Sequence, residues 1–349
     1  MQVWTELSQV PTDFGASVVT IGNFDGVHRG HAGVLQRLAS DARAAGLRSV
    51  AVTFTPHPSQ VHRPESAPPL LTGDADRLEL LEQTGLDGVL LVTYTLDFAR
   101  QTPEEFVRRY LVEGLHARTV VVGRDVRFGR DNGGDLKAMT ELGRRYGFDV
   151  EVVEDETADP TVGDGHTADP LRRRWSSTWV RELLAEGDVR QAARVLGRPH
   201  RVRGIVVHGD ARGRELGFPT ANLAPDSTGM VPADGVYAGW FHRLVRADGT
   251  QVTPDDPDRV LPAAVSIGTN PTFDGLTRRV EAYVLDRTDL DLYGEEVAVE
   301  LVERLRPTLR FDGVDALQRR MRQDVVEVRQ VLAGAAGGGS EPSAAGPAS

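Results

Sequence analysis

The first 153 residues alternate short apolar runs with longer amphipathic stretches, and this alternation constrains the fold more than any other feature. Apolar runs of this length are typical of buried strands and the amphipathic stretches of helices, so the pattern predicts a doubly wound parallel α/β sheet. Ligands bind such sheets at the carboxyl ends of the strands. The predicted strands cover 18–21, 49–54, 88–92, 119–122 and 149–153, and the predicted helices cover 31–45, 74–84, 103–113 and 134–146.

The turn after the first predicted strand reads Gly22-Asn-Phe-Asp-Gly-Val-His-Arg-Gly-His31. Its glycines allow a close backbone approach, and the N–H groups that open the following helix favour an anion. Imidazole N–H groups of His28 and His31 are suited to bond phosphoryl oxygens. These residues alone leave three other interpretations open, namely plain packing, a metal site that includes Asp25, and a dinucleotide-binding turn.

Two more segments follow strands at the same predicted edge. Thr53-Phe-Thr-Pro-His-Pro58 places His57 between prolines, and Gly123-Arg-Asp-Val-Arg-Phe-Gly129 follows the fourth strand. Further along, Ser176-Ser-Thr-Trp-Val-Arg181 opens a predicted helix over 179–185. Ser177, Thr178 and Arg181 there would close over a triphosphate, whereas an ordinary capped helix is the alternative interpretation.

The sequence pattern changes near Pro199, from alternating strands and helices to a series of strands. Alternating and β-branched runs predict an antiparallel barrel or sandwich, followed by a helix over 314–332 that packs against it. A polar stretch over 154–174 repeats Thr-Ala-Asp-Pro and is interpreted as an insertion without an assigned function. The predicted strands cover 202–207, 235–241, 263–267, 279–285 and 297–302. The predicted organisation is a first domain over 1–186, a linker with a short helix over 187–199, a second domain over 200–333 and a disordered tail over 334–349.

Composition excludes several classes of protein. The chain of 349 residues has no cysteine, which excludes disulfides, thiolate nucleophiles and cysteine-ligated metals, and its net charge of −11 argues against nucleic acid as a partner. Its single lysine, Lys137, is not in a phosphate-binding GxxxxGK[ST] loop. No apolar run is long enough to span a membrane and no secretory signal opens the chain, so we expect a cytoplasmic protein without a membrane partner.

A second glycine-rich segment begins the predicted barrel. Gly209, Gly213 and Gly217 follow a strand and suggest a loop that folds over phosphates, although a plain glycine-rich hairpin is equally consistent with the glycines alone. Thr220 and Asn222 then offer a hydroxyl and an amide oxygen on one extended edge. Both are hard oxygen ligands suited to Mg²⁺.

These segments together resemble a known family. The stretch 22–31 is similar to the HxGH signature of the nucleotidylyl transferase superfamily, in the form found in bacterial bifunctional riboflavin kinase/FAD synthetases. The segments after the second and fourth strands and the SSTxxR stretch resemble its other blocks, except that Val126 replaces a usual aromatic residue. Gly213-Arg-Glu-Leu-Gly-Phe-Pro-Thr-Ala-Asn222 resembles the flavokinase motif, and 266–272, 279–283 and 291–294 resemble its later blocks, so the likeness covers 18–329.

The resemblance implies two reactions with small-molecule partners. ATP with Mg²⁺ would phosphorylate riboflavin to FMN in the C-terminal domain, and the N-terminal domain would then adenylylate FMN to FAD with release of pyrophosphate. The implied ATP-binding residues of the adenylyltransferase are Gly22, Asn23, Phe24, Asp25, Gly26, His28, His31, Ser177, Thr178 and Arg181, of which His28, His31 and Arg181 are catalytic. The implied FMN-binding residues are His57, Pro58, Asp125 and Phe128.

In the kinase, the resemblance implies that Glu281 is the general base and that Thr220 and Asn222 hold the metal. Without it, Glu281 in an ion pair with Arg278 or Arg279 would be the simpler interpretation. The implied ATP-binding residues are Gly209, Gly213, Arg214, Gly217, Pro219, Thr220 and Asn222. Two further hypotheses stay open, an enzyme with only one active domain and a flavin-binding protein without catalysis, and the sequence sets no oligomeric state.

Overall fold

The computed structural model describes residues 1–153, 173–209, 217–272 and 275–338. They form two compact units, Met1–Trp179 and Val180–Ser349. The division falls before the predicted domain boundary at 186. Most of the predicted polar insertion, residues 154–172, lies outside the described part of the chain.

The first unit is built on a parallel sheet with helices on both sides. Its strands are β1 (Gln2–Trp4), β2 (Ser17–Ile21), β3 (Arg48–Thr55), β4 (Gly88–Thr93), β5 (Ala117–Gly123) and β6 (Asp149–Val153). Its helices are α1 (Arg29–Ala44), α2 (Pro58–His62), α3 (Asp74–Glu82), α4 (Leu96–Ala99), α5 (Pro103–Phe106) with a π-helical continuation over Val107–Gly114, and α6 (Leu136–Tyr146). The helix α7 (Ser177–Glu186) begins in this unit.

The sheet has the order β1-β4-β3-β2-β5-β6, and every neighbouring pair is parallel. This confirms the predicted doubly wound α/β fold. Strand β2 lies between β3 and β5, so the turns that follow these three strands meet at one edge. One face of the sheet is covered by a core around Val19 and Leu111, and the other by a core around Leu35 and Leu81. The central position of β2 places the turn after Ile21 in the middle of the ligand-binding edge.

The second unit is a closed antiparallel barrel, which confirms the predicted barrel class. Its strand order is β10-β11-β8-β7-β12-β9. The elements are α8 (Val189–Leu196), β7 (His200–Val207), β8 (Ala221–Leu223), β9 (Gly235–Val245), β10 (Val260–Thr272), β11 (Gly275–Val284), β12 (Glu296–Arg306) and α9 (Val314–Gly338).

Alternation along the strands separates the barrel interior from its outer surface. Tyr237, Val265 and Ala282 are cross-strand neighbours on one face and are fully buried. Residues at the intervening positions, such as Ala238 and Tyr283, pack with Val328 of α9 on the other face. The terminal helix therefore covers part of the outside of the barrel, as its apolar spacing predicts.

The terminal helix differs from the prediction in length. It continues to Gly338, five residues into the stretch for which a tail is predicted. The physical reason is the alanine-rich sequence around Gly334, because alanine has the highest helix propensity, and the anchoring of the preceding turn by buried Leu332. Residues 339–349 lie outside the described part of the chain.

Candidate active sites

Two histidines open helix α1 at the carboxyl end of β2. The side chain of His28 caps the helix, since its Nδ1 accepts a hydrogen bond from the backbone N–H of His31 at 3.3 Å. The two imidazole rings stack with centroids 3.7 Å apart, and Phe24 contacts the His31 ring edge-on at 5.4 Å. The spacing of three residues at a helix terminus thus holds both rings side by side.

The His31 imidazole is in an environment that disfavours its charged form. Burial, then the neighbouring His28 and then Arg174 hold the pKa of His31 well below its ordinary value of 6.5. Its Nδ1 is buried and has no hydrogen-bond partner among the residues that the structure describes. An anionic phosphate would give the His31 ring a hydrogen-bond acceptor, and its negative charge would favour the protonated form of the ring.

The glycines of this turn are needed for close contacts. A Cβ on Gly30 would lie 3.3 Å from both the Cβ of Trp175 and the Nδ1 of His28, and a Cβ on Gly22 would lie 2.8 Å from the Phe24 ring. A larger residue at either position would displace an aromatic ring from the site.

Asp25 anchors the turn. Its buried carboxylate accepts hydrogen bonds from the backbone N–H of Leu71 at 2.9 Å and of Thr72 at 3.1 Å. Its backbone oxygen accepts a hydrogen bond from the Ser177 hydroxyl at 2.7 Å. The carboxylate is thus used inside the protein, and among the described residues no group of three or more His, Cys, Asp or Glu side chains is arranged to hold a metal. The metal interpretation of the histidine turn therefore has no structural support.

Arg77, which no sequence motif marks as functional, supports the same turn. Its guanidinium donates to the backbone oxygens of Asn23 at 3.0 Å and Phe54 at 2.8 Å, and it pairs with Asp74 at 2.7 Å. Burial is the largest influence on its pKa, which is lowered. One buried arginine therefore joins the turn that follows β2 to the end of β3.

A cavity of about 570 Å³ opens over the histidine turn. It is lined by Gly22, His28, His31 and Ser177, with Arg174 and Trp175 from the segment before α7. Backbone amides, imidazoles and a guanidinium are groups that bind phosphates. The predicted residues Asn23, Asp25, Gly26 and Thr178 are not in its lining, while Phe24, His28, His31 and Ser177 are.

A second cavity of about 440 Å³ shares part of this wall. Ile21, Gly22 and Asp125 line both cavities. The remaining wall of the second cavity is rich in aromatic rings, with centroids 5.7 Å apart for Phe54 and Tyr94 and 5.3 Å apart for Tyr94 and Phe98. Its shape and composition suit a flat ring system.

Of the four residues predicted to bind FMN, three line this second cavity and one does not. Pro58, Asp125 and Phe128 line it, as do Asn23 and Val126. His57 does not; its Nδ1 accepts a hydrogen bond from the Ser59 N–H at 3.2 Å and so caps α2. Asp125 also pairs with Arg174 at 3.4 Å.

Helix α7 carries the three predicted residues of the SSTxxR segment. Ser176 caps the helix by accepting from the Trp179 N–H at 3.2 Å. Ser177 reaches the histidine turn, as described above, and Thr178 is exposed. Arg181 belongs to the second unit, and its role stays a prediction.

In the barrel, Asn222 lies near two other predicted site residues, Thr220 and Glu281. It is 9% exposed, and its Oδ1 is buried with no hydrogen-bond partner within the described ranges. Its Nδ2 lies 3.5 Å from the Thr220 hydroxyl. A Cβ on Gly209 would come within 2.5 Å of the Asn222 amide, so the glycine permits this arrangement. Gly213 and Arg214 lie outside the described residues.

Glu281 on β11 stands directly opposite Asn222 on β8, and on its other side opposite Ser266 on β10. Directly opposed residues have Cβ atoms about 5 Å apart on the same face of a sheet. Tyr283, two residues further along that face, contacts the Phe218 ring at 5.2 Å. Arg278 pairs with Asp234 at 2.8 Å.

A cavity of about 310 Å³ has Ala282 and Val284 in its wall, which alternate with Glu281 and Tyr283 along β11, and neither Glu281 nor Asn222 is in its lining. Gly217, Pro219 and Thr220 line it, together with Arg287 and Tyr293. Hydrogen bonds to Asp289 at 2.8 Å and to Asp258 raise the pKa of Arg287. The same contact lowers the pKa of Asp289 to about 2. The carboxylates thus fix the guanidinium at the cavity wall.

Comparisons with known proteins match the chain to two family models and to several curated relatives. The FAD synthetase family model matches residues 10–162, and the riboflavin kinase family model matches residues 196–332. The bifunctional riboflavin kinase/FMN adenylyltransferase of Escherichia coli K12 is 36% identical over 93% of this chain and 95% of its own length. The Listeria monocytogenes protein of the same name is 33% identical over 95% of this chain and 94% of its own length.

A solved structure is similar over the whole chain. The crystal structure of a Streptococcus pneumoniae protein described as a macrolide-efflux protein has a TM-score of 0.75 and 28% identity, over 94% of this chain and 98% of that one. Within the part of this chain that the structure describes, no helix is both long and apolar enough to cross a membrane. From the two family matches and the full-length relatives, the chain belongs to the family of bifunctional riboflavin kinase/FMN adenylyltransferases, with an FAD synthetase domain followed by a riboflavin kinase domain.

Proposed function

We propose that FMN and ATP meet across the wall shared by the two cavities of the first unit, and that riboflavin is phosphorylated beside Glu281 in the barrel. The chain carries both activities of its family. The single observation that supports this assignment most is that Ile21, Gly22 and Asp125 line both the cavity over the histidine turn and the aromatic cavity. Two substrates bound on either side of this wall would have their reacting phosphates adjacent.

The aromatic cavity would take the flavin ring, and the histidine cavity would take the triphosphate of ATP. Phe54, Tyr94 and Phe98 provide apolar faces for a planar ring. The N-terminus of α1, His28 and His31 provide donors for phosphoryl oxygens. The flavin ring is thus assigned to the aromatic cavity, and the triphosphate is assigned to the cavity that offers hydrogen-bond donors.

The adenylyl transfer needs no covalent enzyme intermediate. A phosphate oxygen of FMN attacks the α-phosphorus of ATP in line, the bond from that phosphorus to the bridging oxygen breaks, and pyrophosphate leaves. The protein supplies positioning and stabilisation of negative charge that develops on the phosphoryl oxygens. His28 and His31 would do this from α1, while Ser177 holds the turn through Asp25; Thr178, Arg181 and His57 are assigned further contacts by family likeness.

In the barrel, Thr220 and Asn222 fit a magnesium ion. Their donor atoms are a hydroxyl and an amide oxygen, which are hard ligands, and the Asn222 Oδ1 is buried without a partner among the described residues. When bound, Mg²⁺ would offset the charge of the phosphates of ATP. The cavity lined by Gly217, Pro219 and Thr220 would hold these phosphates.

Glu281 would accept the proton of the terminal ribityl hydroxyl of riboflavin as its oxygen attacks the γ-phosphorus and ADP leaves. Glu281 stands opposite Asn222, which follows Thr220 of the proposed phosphate cavity by two residues, and this supports the proposal. The Tyr283 and Phe218 rings on the same side offer a contact for the flavin. In this proposal the barrel would supply a base, two metal ligands and a cavity for the phosphates of ATP.

FAD formation from supplied FMN tests the assignment of the two cavities, because this reaction bypasses the kinase. We expect Phe98→Ala to raise the KM for FMN about tenfold or more with little change in the KM for ATP. His31→Ala should instead reduce kcat. The matched control is Leu96→Ala, which changes a 57% exposed residue of the same helix, α4. A Phe98→Ala enzyme with an unchanged KM for FMN would contradict the assignment.

A further inference from the structure

Gln101 contributes an unsatisfied acceptor to the aromatic cavity. The residue lines that cavity after α4, and its Oε1 is buried without a hydrogen-bond partner among the residues that the structure describes. A buried amide oxygen without a partner loses its hydration and gains nothing in return. Such an atom in a ligand cavity indicates a donor that arrives with the ligand.

The amide is held in a fixed orientation. Its Nε2 donates to the backbone oxygen of Phe98 at 3.2 Å, so one N–H of the amide is already in use. The backbone oxygen of Gln101 accepts from the Arg130 N–H at 2.7 Å, which fixes the main chain. With these two bonds in place, Oε1 is the side-chain acceptor of Gln101 that is left without a partner among the described residues.

The isoalloxazine ring carries one N–H donor, at N3 of its imide edge, between two carbonyl groups. The rest of the ring system presents apolar faces and acceptors, which match the Phe54, Tyr94 and Phe98 wall but not an amide oxygen. We propose that Gln101 is a specificity-determining residue of the adenylyltransferase and that its Oε1 accepts the hydrogen bond of the flavin imide N–H. This inference rests on the proposed placement of the flavin ring in the aromatic cavity.

The test uses the full-length protein and FMN methylated at N3, which lacks the donor. KM and kcat for FAD formation are measured with FMN and with N3-methyl-FMN, for the wild type and for Gln101→Met, which keeps the side-chain length and removes the acceptor. Gln83→Met, at an exposed position that follows α3, is the matched control.

We expect the wild type to have a KM about three- to tenfold higher for N3-methyl-FMN than for FMN, the range of one neutral hydrogen bond. Gln101→Met should raise the KM for FMN by a similar factor, lose most of the discrimination between the two flavins and keep its kcat. Gln83→Met should behave as the wild type. A wild type that uses both flavins equally well, or a Gln101→Met enzyme that discriminates as well as the wild type, overturns the proposal. The comparison of FMN with N3-methyl-FMN in the wild type needs no variant.

Phe98→Ala separates this inference from the proposed function. If that variant raises the KM for FMN but Gln101→Met does not, the flavin lies in the cavity and the role of Gln101 is wrong. If neither variant changes the KM for FMN, the placement of the flavin is itself wrong.

Discussion

The imidazole rings of His28 and His31 stack at 3.7 Å with only 20° between their planes. Residues three apart on a helix are neighbours on its surface, and here the first of them also caps the helix. Two rings so close cannot both be protonated without repulsion, which contributes to the lowered pKa of His31. The motif therefore presents a neutral donor beside the positive end of a helix, where we propose that phosphate charge develops.

The stability of the protein should fall with decreasing pH through the titration of His31. Its pKa is depressed in the folded state, so below the ordinary value of 6.5 the unfolded chain binds more protons than the folded one. The stabilisation that the neutral His31 contributes is fully present above pH 6.5, and it is lost as the pH falls toward the pKa of His31 in the folded state. Urea unfolding of wild type and His31→Gln at several pH values between about 5.5 and 7.5 measures it. The variant should have the smaller pH slope, and identical slopes would contradict the expectation.

Asp25→Ala should destabilise the first unit by about 2–4 kcal/mol, since it leaves the Leu71 and Thr72 amides without their charged acceptor. The free energy of unfolding from urea titrations checks this. Asp13→Ala at an exposed position is the control and should have little effect. If Asp25→Ala were as stable as this control, the anchoring role of Asp25 would be wrong.

Gly209→Ala should impair the kinase and spare FAD formation from supplied FMN. The new Cβ would lie 2.5 Å from the Asn222 side chain, so the proposed metal ligand must move. We expect at least about a tenfold loss in kcat for FMN formation. Gly334→Ala, where a Cβ meets nothing within 4 Å, is the matched control. Normal kinase turnover by Gly209→Ala would argue against the placement of Asn222 in the site.

Arg243→Met should destabilise the barrel by about 3–5 kcal/mol, because it leaves Glu295 charged and buried. The two side chains are each 5% exposed and are joined by hydrogen bonds of 2.5 and 2.7 Å. Removal of both charges in Arg243→Met with Glu295→Leu should restore most of the loss. Urea unfolding of the single and double variants measures the difference, and a double variant less stable than Arg243→Met would refute this explanation.

The sequence predicted most of the fold because its strands are buried runs with strong periodicity. It missed β1 and β8, which have three residues each and are too short to show a period. Asn222 was nevertheless predicted as a site residue, because a motif can mark a position whose strand is too short to recognise. The continuation of α9 past Gly334 was missed because glycine was given more weight than the alanines beside it.

The sequence could indicate which residues are candidates for the site, but it could not indicate which contacts those residues make. The resemblance selected Asp25, yet only the structure shows its carboxylate bound to the amides of a turn 46 residues away. Long-range contacts such as the Ser177 hydroxyl on the Asp25 carbonyl leave no local pattern in a sequence. No sequence pattern singles out Gln101, because a single glutamine after a short helix is common on protein surfaces.

A chromatographic time course with riboflavin, ATP and Mg²⁺ tests the central claim of two separate sites most directly. The wild type, His31→Ala and Glu281→Gln are compared in the full-length protein. We expect the wild type to form FMN first and then FAD, and His31→Ala to accumulate FMN at a rate within roughly twofold of the wild type without forming FAD. Glu281→Gln should form neither product from riboflavin but should convert supplied FMN to FAD normally. Equal loss of both reactions in each variant would contradict the account.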